Sequence, residues 1–191
     1  MPPILLGTDG AQSVFFYRDD MSRPGPPAVA ALIGTALVTA YALVGALQVL
    51  VWNPLAAVPG LSLQEIYVEL DRVGQSFSPM PVIVWAVLGV AAAALGAVST
   101  FRRSRLALSQ VVLVYALVLV GGAPSLLFVS FAPGMQLADG FGISGSDYSP
   151  WARPLYLTSF LAMVAAIATA GLAITSSRSQ PGEGNDARAA R

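Results

Sequence analysis

The chain has 191 residues, of which 55% are hydrophobic and 10% charged, and its ten basic and ten acidic residues cancel; soluble domains carry about 25% charged residues, so composition argues against a water-soluble globular fold. Every basic residue is Arg, and Lys, His and Cys are absent. That removes histidine or thiolate ligation of metal or haem, disulfides, covalent catalysis by Cys or Lys, and any Ser-His-Asp set.

Residues 1–27 form an expected cytoplasmic tail, rich in Pro toward its end. Its first twenty residues precede a second methionine, Met21, and read either as a tail or as a start-site extension. They lack a basic segment followed by an apolar run and a small-residue cleavage site, so they do not read as a signal peptide.

Four charge-free apolar stretches follow, at residues 28–52, 82–101, 106–132 and 155–176. A hydrocarbon core of roughly 30 Å needs about 20 helical residues, so each is long enough to cross. The third holds fifteen Leu, Ile, Val or Phe residues and the fourth only eight, with Ala and Thr filling the rest. The fourth therefore depends most on its neighbours. The expected fold is an all-α bundle of four transmembrane helices over 28–176, with a disordered cytoplasmic tail at 177–191.

Between the first two spans, Ser62 and Glu65 have the spacing of a capping box, and Leu63, Ile66, Tyr67, Leu70 and Val73 recur with a helical period. This predicts an extracytoplasmic amphipathic helix of about three turns, with Glu65, Glu69, Asp71 and Arg72 on the wet face as a candidate docking surface. The acidic balance disfavours attraction to anionic lipid.

Span two carries small residues four apart, Gly89 with Ala93 and Ala92 with Gly96, as does span four with Ala162, Ala166 and Ala170. Such faces let helix backbones approach closely and are candidate contacts for a membrane-protein partner as well as for the bundle itself. The turn after span two holds Arg102, Arg103 and Arg105. Eight of the ten Arg residues fall on that side of an alternating topology, so the positive-inside rule places both termini and this turn in the cytoplasm. The zero net charge then resolves into about +3 inside and −3 outside. Trp52, Trp85 and Trp151 would sit near the outer interface as an aromatic belt.

In span three, Gly121-Gly122-Ala123-Pro124 interrupts the helix, because proline neither donates to the carbonyl four residues back nor clears it sterically. The break could line a permeation site together with Gln48 and Tyr115. The plainer expectation is a kink whose backbone groups are satisfied by Ser125 or neighbouring helices. The loop at 133–151 offers Asp139, Ser144, Ser146 and Asp147, but at no calcium-binding spacing, and reads as a turn-rich loop packed on the bundle mouth.

No catalytic, cofactor-binding or metal-binding constellation is expected, and basic residues are too few for nucleic acid. The lipid bilayer is the principal partner. Arg-only basic usage with abundant Ala, Gly and Val suits a bacterial plasma membrane. The functional expectation is a non-enzymatic structural or accessory component of a membrane assembly; the alternative is a small-molecule or ion permease with an uncharged site at Gly121–Pro124.

Overall fold

A computed structural model describes residues 24–103 and 106–178, with side chains to residue 175. The expected N-terminal tail up to Arg23, Arg105 of the basic turn, and the tail from residue 179 lie outside the described residues. All regular secondary structure among the described residues is helical, and four helices are long and apolar enough to cross a membrane.

Helix α1 (Pro26–Leu47) starts on an extended Gly25, with prolines in its first turn, where a missing N–H leaves no intrahelical bond unmade. It continues through a π-helical turn, Gln48–Trp52, into α2 (Asn53–Ala57), giving one apolar helix of 32 residues. The widened turn has a local cause. Pro54 has no N–H for the Leu50 carbonyl and its ring crowds that oxygen, so the ladder shifts and Asn53 N–H bonds Gln48 O, five residues back. The helix thus passes the expected end at Trp52 and closes near Gly60, whose φ of 97° is the left-handed conformation that suits glycine.

Helix α3 (Leu63–Arg72) is the amphipathic helix expected from the sequence. Ser62 N–H donates to Glu65 Oε2 at 2.7 Å and Glu65 N–H to Ser62 Oγ at 3.3 Å, a complete capping box. Ile66 and Leu70 are fully buried against Leu137, with Val58, Tyr67, Phe77 and Phe141 around them. The Arg72–Glu69 pair at 3.6 Å is exposed and contributes little.

The Ser62 hydrogen bonds hold the Glu65 carboxyl below the ordinary glutamate value. A lowered folded-state pKa means that the carboxylate stabilises α3 fully above the ordinary range near 4.5, and that this is lost as pH falls through the folded-state value. The protection of the Glu65 amide, its exchange rate relative to the intrinsic rate at the same pH, should therefore fall between pH 6 and pH 3. Glu65→Gln, which can cap without titrating, should flatten that difference; an unchanged pH profile in the variant would show that the cap is not the titrating element.

Helix α4 (Met80–Arg102) is the second apolar helix. The third is built from α5 (Leu108–Val120) and α6 (Gly122–Phe141), which together run for 34 residues. At 1.5 Å per residue that is about 51 Å, well beyond the roughly 30 Å of a bilayer core. The sequence suggested that a loop begins at Pro133, but the chain stays helical to Phe141, with Pro133 inside the helix. One lost backbone bond at Pro133 is offset by burial of Leu137 under α3, and Gly142, with φ of 64°, ends the helix. The connecting loop is consequently short. Helix α7 (Ala152–Arg178) starts earlier and ends later than the expected 155–176, with Pro154 accommodated in its first turn.

The long helices pack around α1, which lies chiefly against α4 and α5, while α7 lies against α5. The main core joins Ala31, Val38 and Tyr41 of α1 to Ala93 of α4, Val111 and Tyr115 of α5, Leu126 of α6 and Ala162 of α7. The outward faces are just as apolar: Phe128 is 84% exposed and Leu172 72%. Water would not tolerate such a surface on a monomer, whereas hydrocarbon would.

Candidate functional site

Polar side chains within the long helices gather at three levels. Nearest the Phe101–Arg103 end, Tyr115 crosses from α5 to the other two helices. Its hydroxyl lies 2.8 Å from Thr35 Oγ1 on α1 and donates to Ala93 O on α4 at 3.0 Å. The ring lies over bare glycine backbone: a Cβ on Gly34 would sit 2.4 Å from Tyr115 Cγ, and one on Gly96 3.1 Å from its hydroxyl oxygen.

At the middle level lies the break in the third apolar helix. The turn is at Gly121, and Pro124 stands third in the new helix α6, where its missing N–H does little harm. Ser159 of α7, buried to 5% exposure, closes the gap. Its Oγ accepts from Ala123 N–H at 3.1 Å and donates to Leu119 O at 2.8 Å, bridging two groups that an unbroken helix would pair directly. Tyr41 Oη is 3.1 Å from the same oxygen. A serine has one proton, and the shorter contact to Leu119 O takes it, so the Tyr41 hydroxyl is the donor in that pair.

Beside this, Trp85 Nε1–H donates to Ser125 Oγ at 2.9 Å, and Ser125 donates to Gly122 O at 3.0 Å. Trp85 also covers Gly45, and Tyr41 covers Gly122, each so closely that a Cβ would fall 2.6 or 2.7 Å from the ring. Trp85, expected in an aromatic belt, is therefore an interhelical hydrogen-bond donor. Trp52 and Trp151 lie at the α3 end, with ring centroids 5.1 Å apart.

The third level, at the α3 end, differs in kind. Gln48 opens the π turn and is 2% exposed, and neither its Oε1 nor its Nε2 has a hydrogen-bond partner among the described residues. A buried polar group left unpaired costs roughly 1–3 kcal/mol, so this is an expensive arrangement. π turns recur at functional sites because they displace a side chain from the regular helical face. Gln48 lines a cavity of about 210 Å³ between the π turn, α6 and the 142–151 loop, together with Val49, Asn53, Ser130, Phe131 and Asp147.

The cavity walls are pinned by hydrogen bonds. Asn53 Oδ1 accepts from Tyr148 N–H at 2.7 Å and Ser149 N–H at 3.4 Å, which ties the loop to the first apolar helix. Tyr156 hydroxyl donates to Asp147 Oδ2 at 2.9 Å. On the far side of the π turn, the Tyr67 hydroxyl of α3 donates to Leu50 O, the carbonyl left open by Pro54. Burial pushes the Tyr67 phenol up, so it remains a donor through the neutral range.

The residues proposed from sequence as one permeation site are thus distributed. Gln48 lines the cavity at the α3 end, Gly121 and Gly122 border a second, largely apolar cavity beside Tyr41 and Trp85, and Tyr115 borders a third, with Gly34 and Leu119. Pro124 lines none of these three. Of the topology determinants, Arg102 and Arg103 are exposed at the end of α4. Of the candidate docking face, Glu65, Asp71 and Arg72 are exposed and Glu69 is half-buried. Among the small residues, Ala93, Ala162 and Ala166 are buried inside the bundle and Gly89 approaches Ala42, while Ala92 is exposed.

Asn53 and Ser130 escaped sequence reading as members of a site, and Asp147, weighed there only as one of four loop oxygens at no calcium-binding spacing, was not placed beside Gln48. Pro54 was the available signal: like Pro124 it marks a missing backbone rung, and the residues a turn before it are those whose side chains are redirected. Comparison with known protein families, with curated proteins and with solved structures finds no match.

Proposed function

We propose that the protein is a multi-pass integral membrane protein of a bacterial plasma membrane, and that it serves as a non-enzymatic structural or accessory component of a membrane assembly. In this reading both termini and the Arg102–Arg103 turn are cytoplasmic, and α3 with the 142–151 loop is extracytoplasmic, in keeping with the positive-inside rule. The observation that carries the reading is that the polar groups at two of the three levels are spent on one another. Tyr115 with Thr35, Ser159 with Tyr41, and Trp85 with Ser125 join helices. Groups committed in this way stiffen a bundle and leave little for chemistry.

Permeation at Gly121–Pro124 has less support, because the backbone groups that such a site would offer are taken up by Ser159 and Ser125. Since Ala93, Ala162 and Ala166 are used within the chain, the partner is proposed to meet the wet face of α3. Extraction in mild detergents should therefore recover a stoichiometric companion, lost on combined Glu69→Gln and Asp71→Asn. A lone monomer under several extraction conditions would overturn the accessory reading.

A further inference from the structure

We propose that the cavity beside the π turn is a binding site for a small neutral carboxamide, independently of whether the protein has a partner subunit. The cavity holds about 210 Å³ and is lined by Gln48, whose amide is buried without any partner among the described residues. Its chemistry narrows the ligand. A glutamine amide presents donors and an acceptor side by side. A ligand that only accepts leaves Oε1 open, and a cation leaves both Nε2 hydrogens open. A carboxamide pairs with both atoms at once, N–H to O in each direction.

Charge points the same way. Among the described residues no basic side chain lines the cavity, and Asp147 does, so an anion is repelled and an extra N–H is welcome. Beside the polar Asn53, Ser130 and Ser146, the side chains of Val49, Leu127 and Phe131 give apolar wall that suits a hydrocarbon body on the amide. Two structural features keep the cavity formed without a ligand: Pro54 holds the π turn open on one side, and Asn53 fastens the 142–151 loop on the other. Preformed walls of this sort are the common condition of small-molecule sites.

Benzamide is the probe, with toluene, benzoate and benzylamine as matched controls lacking one feature each. The full chain in nanodiscs is titrated by ligand-observed NMR against empty nanodiscs, which removes partition into lipid. Saturable benzamide binding is expected, at least tenfold tighter than each control. Gln48→Leu should weaken it tenfold or more, and Asp147→Asn should narrow the gap between benzamide and benzoate. Gly134→Leu, at a cavity-lining position where a Cβ meets nothing within 4 Å, should also abolish binding without touching the amide. Non-saturable benzamide uptake, equal binding of toluene, or binding unchanged in Gln48→Leu or in Gly134→Leu would each overturn the proposal.

Discussion

Gly34→Ala should destabilise the protein by about 3 kcal/mol, although it adds a single methyl group and improves local helix propensity. The new Cβ would lie 2.4 Å from Tyr115 Cγ and 2.7 Å from both Cδ atoms, so the ring has to move. It has nowhere to go. Its hydroxyl is fixed to Thr35 and to Ala93 O, and its far edge already touches Gly96 of α4. Displacement therefore adds the loss of buried hydrogen bonds, about 1 kcal/mol each, to an overpacking cost of roughly 1–3 kcal/mol. Gly134→Ala and Gly171→Ala set the baseline: neither Cβ meets an atom of the described residues within 4 Å, and each should be neutral or stabilising by up to about 1 kcal/mol. The mechanism is checked by a double-mutant cycle in equilibrium unfolding from mixed micelles. In a Tyr115→Ala background, Gly34→Ala should become nearly neutral; additive effects would show that the glycine is needed for some other reason.

The same contact shows where sequence reading stops. Four apolar segments, the Ser62–Glu65 capping box and the Pro124 break all rest on local rules and are visible over one to three turns. The faces of the long helices are not. In a soluble helix the buried stripe is apolar and the exposed one polar, but Val38 is buried and Leu37 exposed with no difference in character, because a lipid-like exterior accepts both. Gly34 and Gly45 consequently look like ordinary small residues in an apolar run. Their partners, Tyr115 and Trp85, lie far along the chain, and only the fold brings ring and glycine together. The helical course of 133–141 was hidden for another reason: Pro133 and Gly134 are turn residues by local rule, and the contact that overrides them, Leu137 against Ile66 and Leu70, is tertiary. For the candidate site, Gln48 was visible as a rare polar residue in an apolar span. Its isolation was not, since that depends on Pro54 shifting the ladder beneath it.

Ser159→Ala should cost about 3 kcal/mol, a large effect for removing one oxygen. The hydroxyl serves three groups, Leu119 O at 2.8 Å, Ala123 N–H at 3.1 Å and the Tyr41 hydroxyl at 3.1 Å, and the site is too enclosed for water to replace it readily. A buried group left unpaired costs roughly 1–3 kcal/mol, although a membrane-embedded unfolded state, which finds partners of its own, recovers part of that. Thr169→Ala on the same helix is the comparison, because that hydroxyl donates to Ala165 O of its own helix and joins no second helix among the described residues; its loss should cost under about 0.5 kcal/mol. The origin of the demand on Ser159 is then testable by restoring the rung. Pro124→Ala alone should change stability by less than about 1 kcal/mol, since Pro124 sits in the first turn of α6. In combination it should offset part of the Ser159→Ala penalty, because an alanine N–H can donate to Val120 O and lets the helix close over the gap. Strict additivity of the two substitutions would mean that the serine answers to Tyr41 alone and not to the proline break.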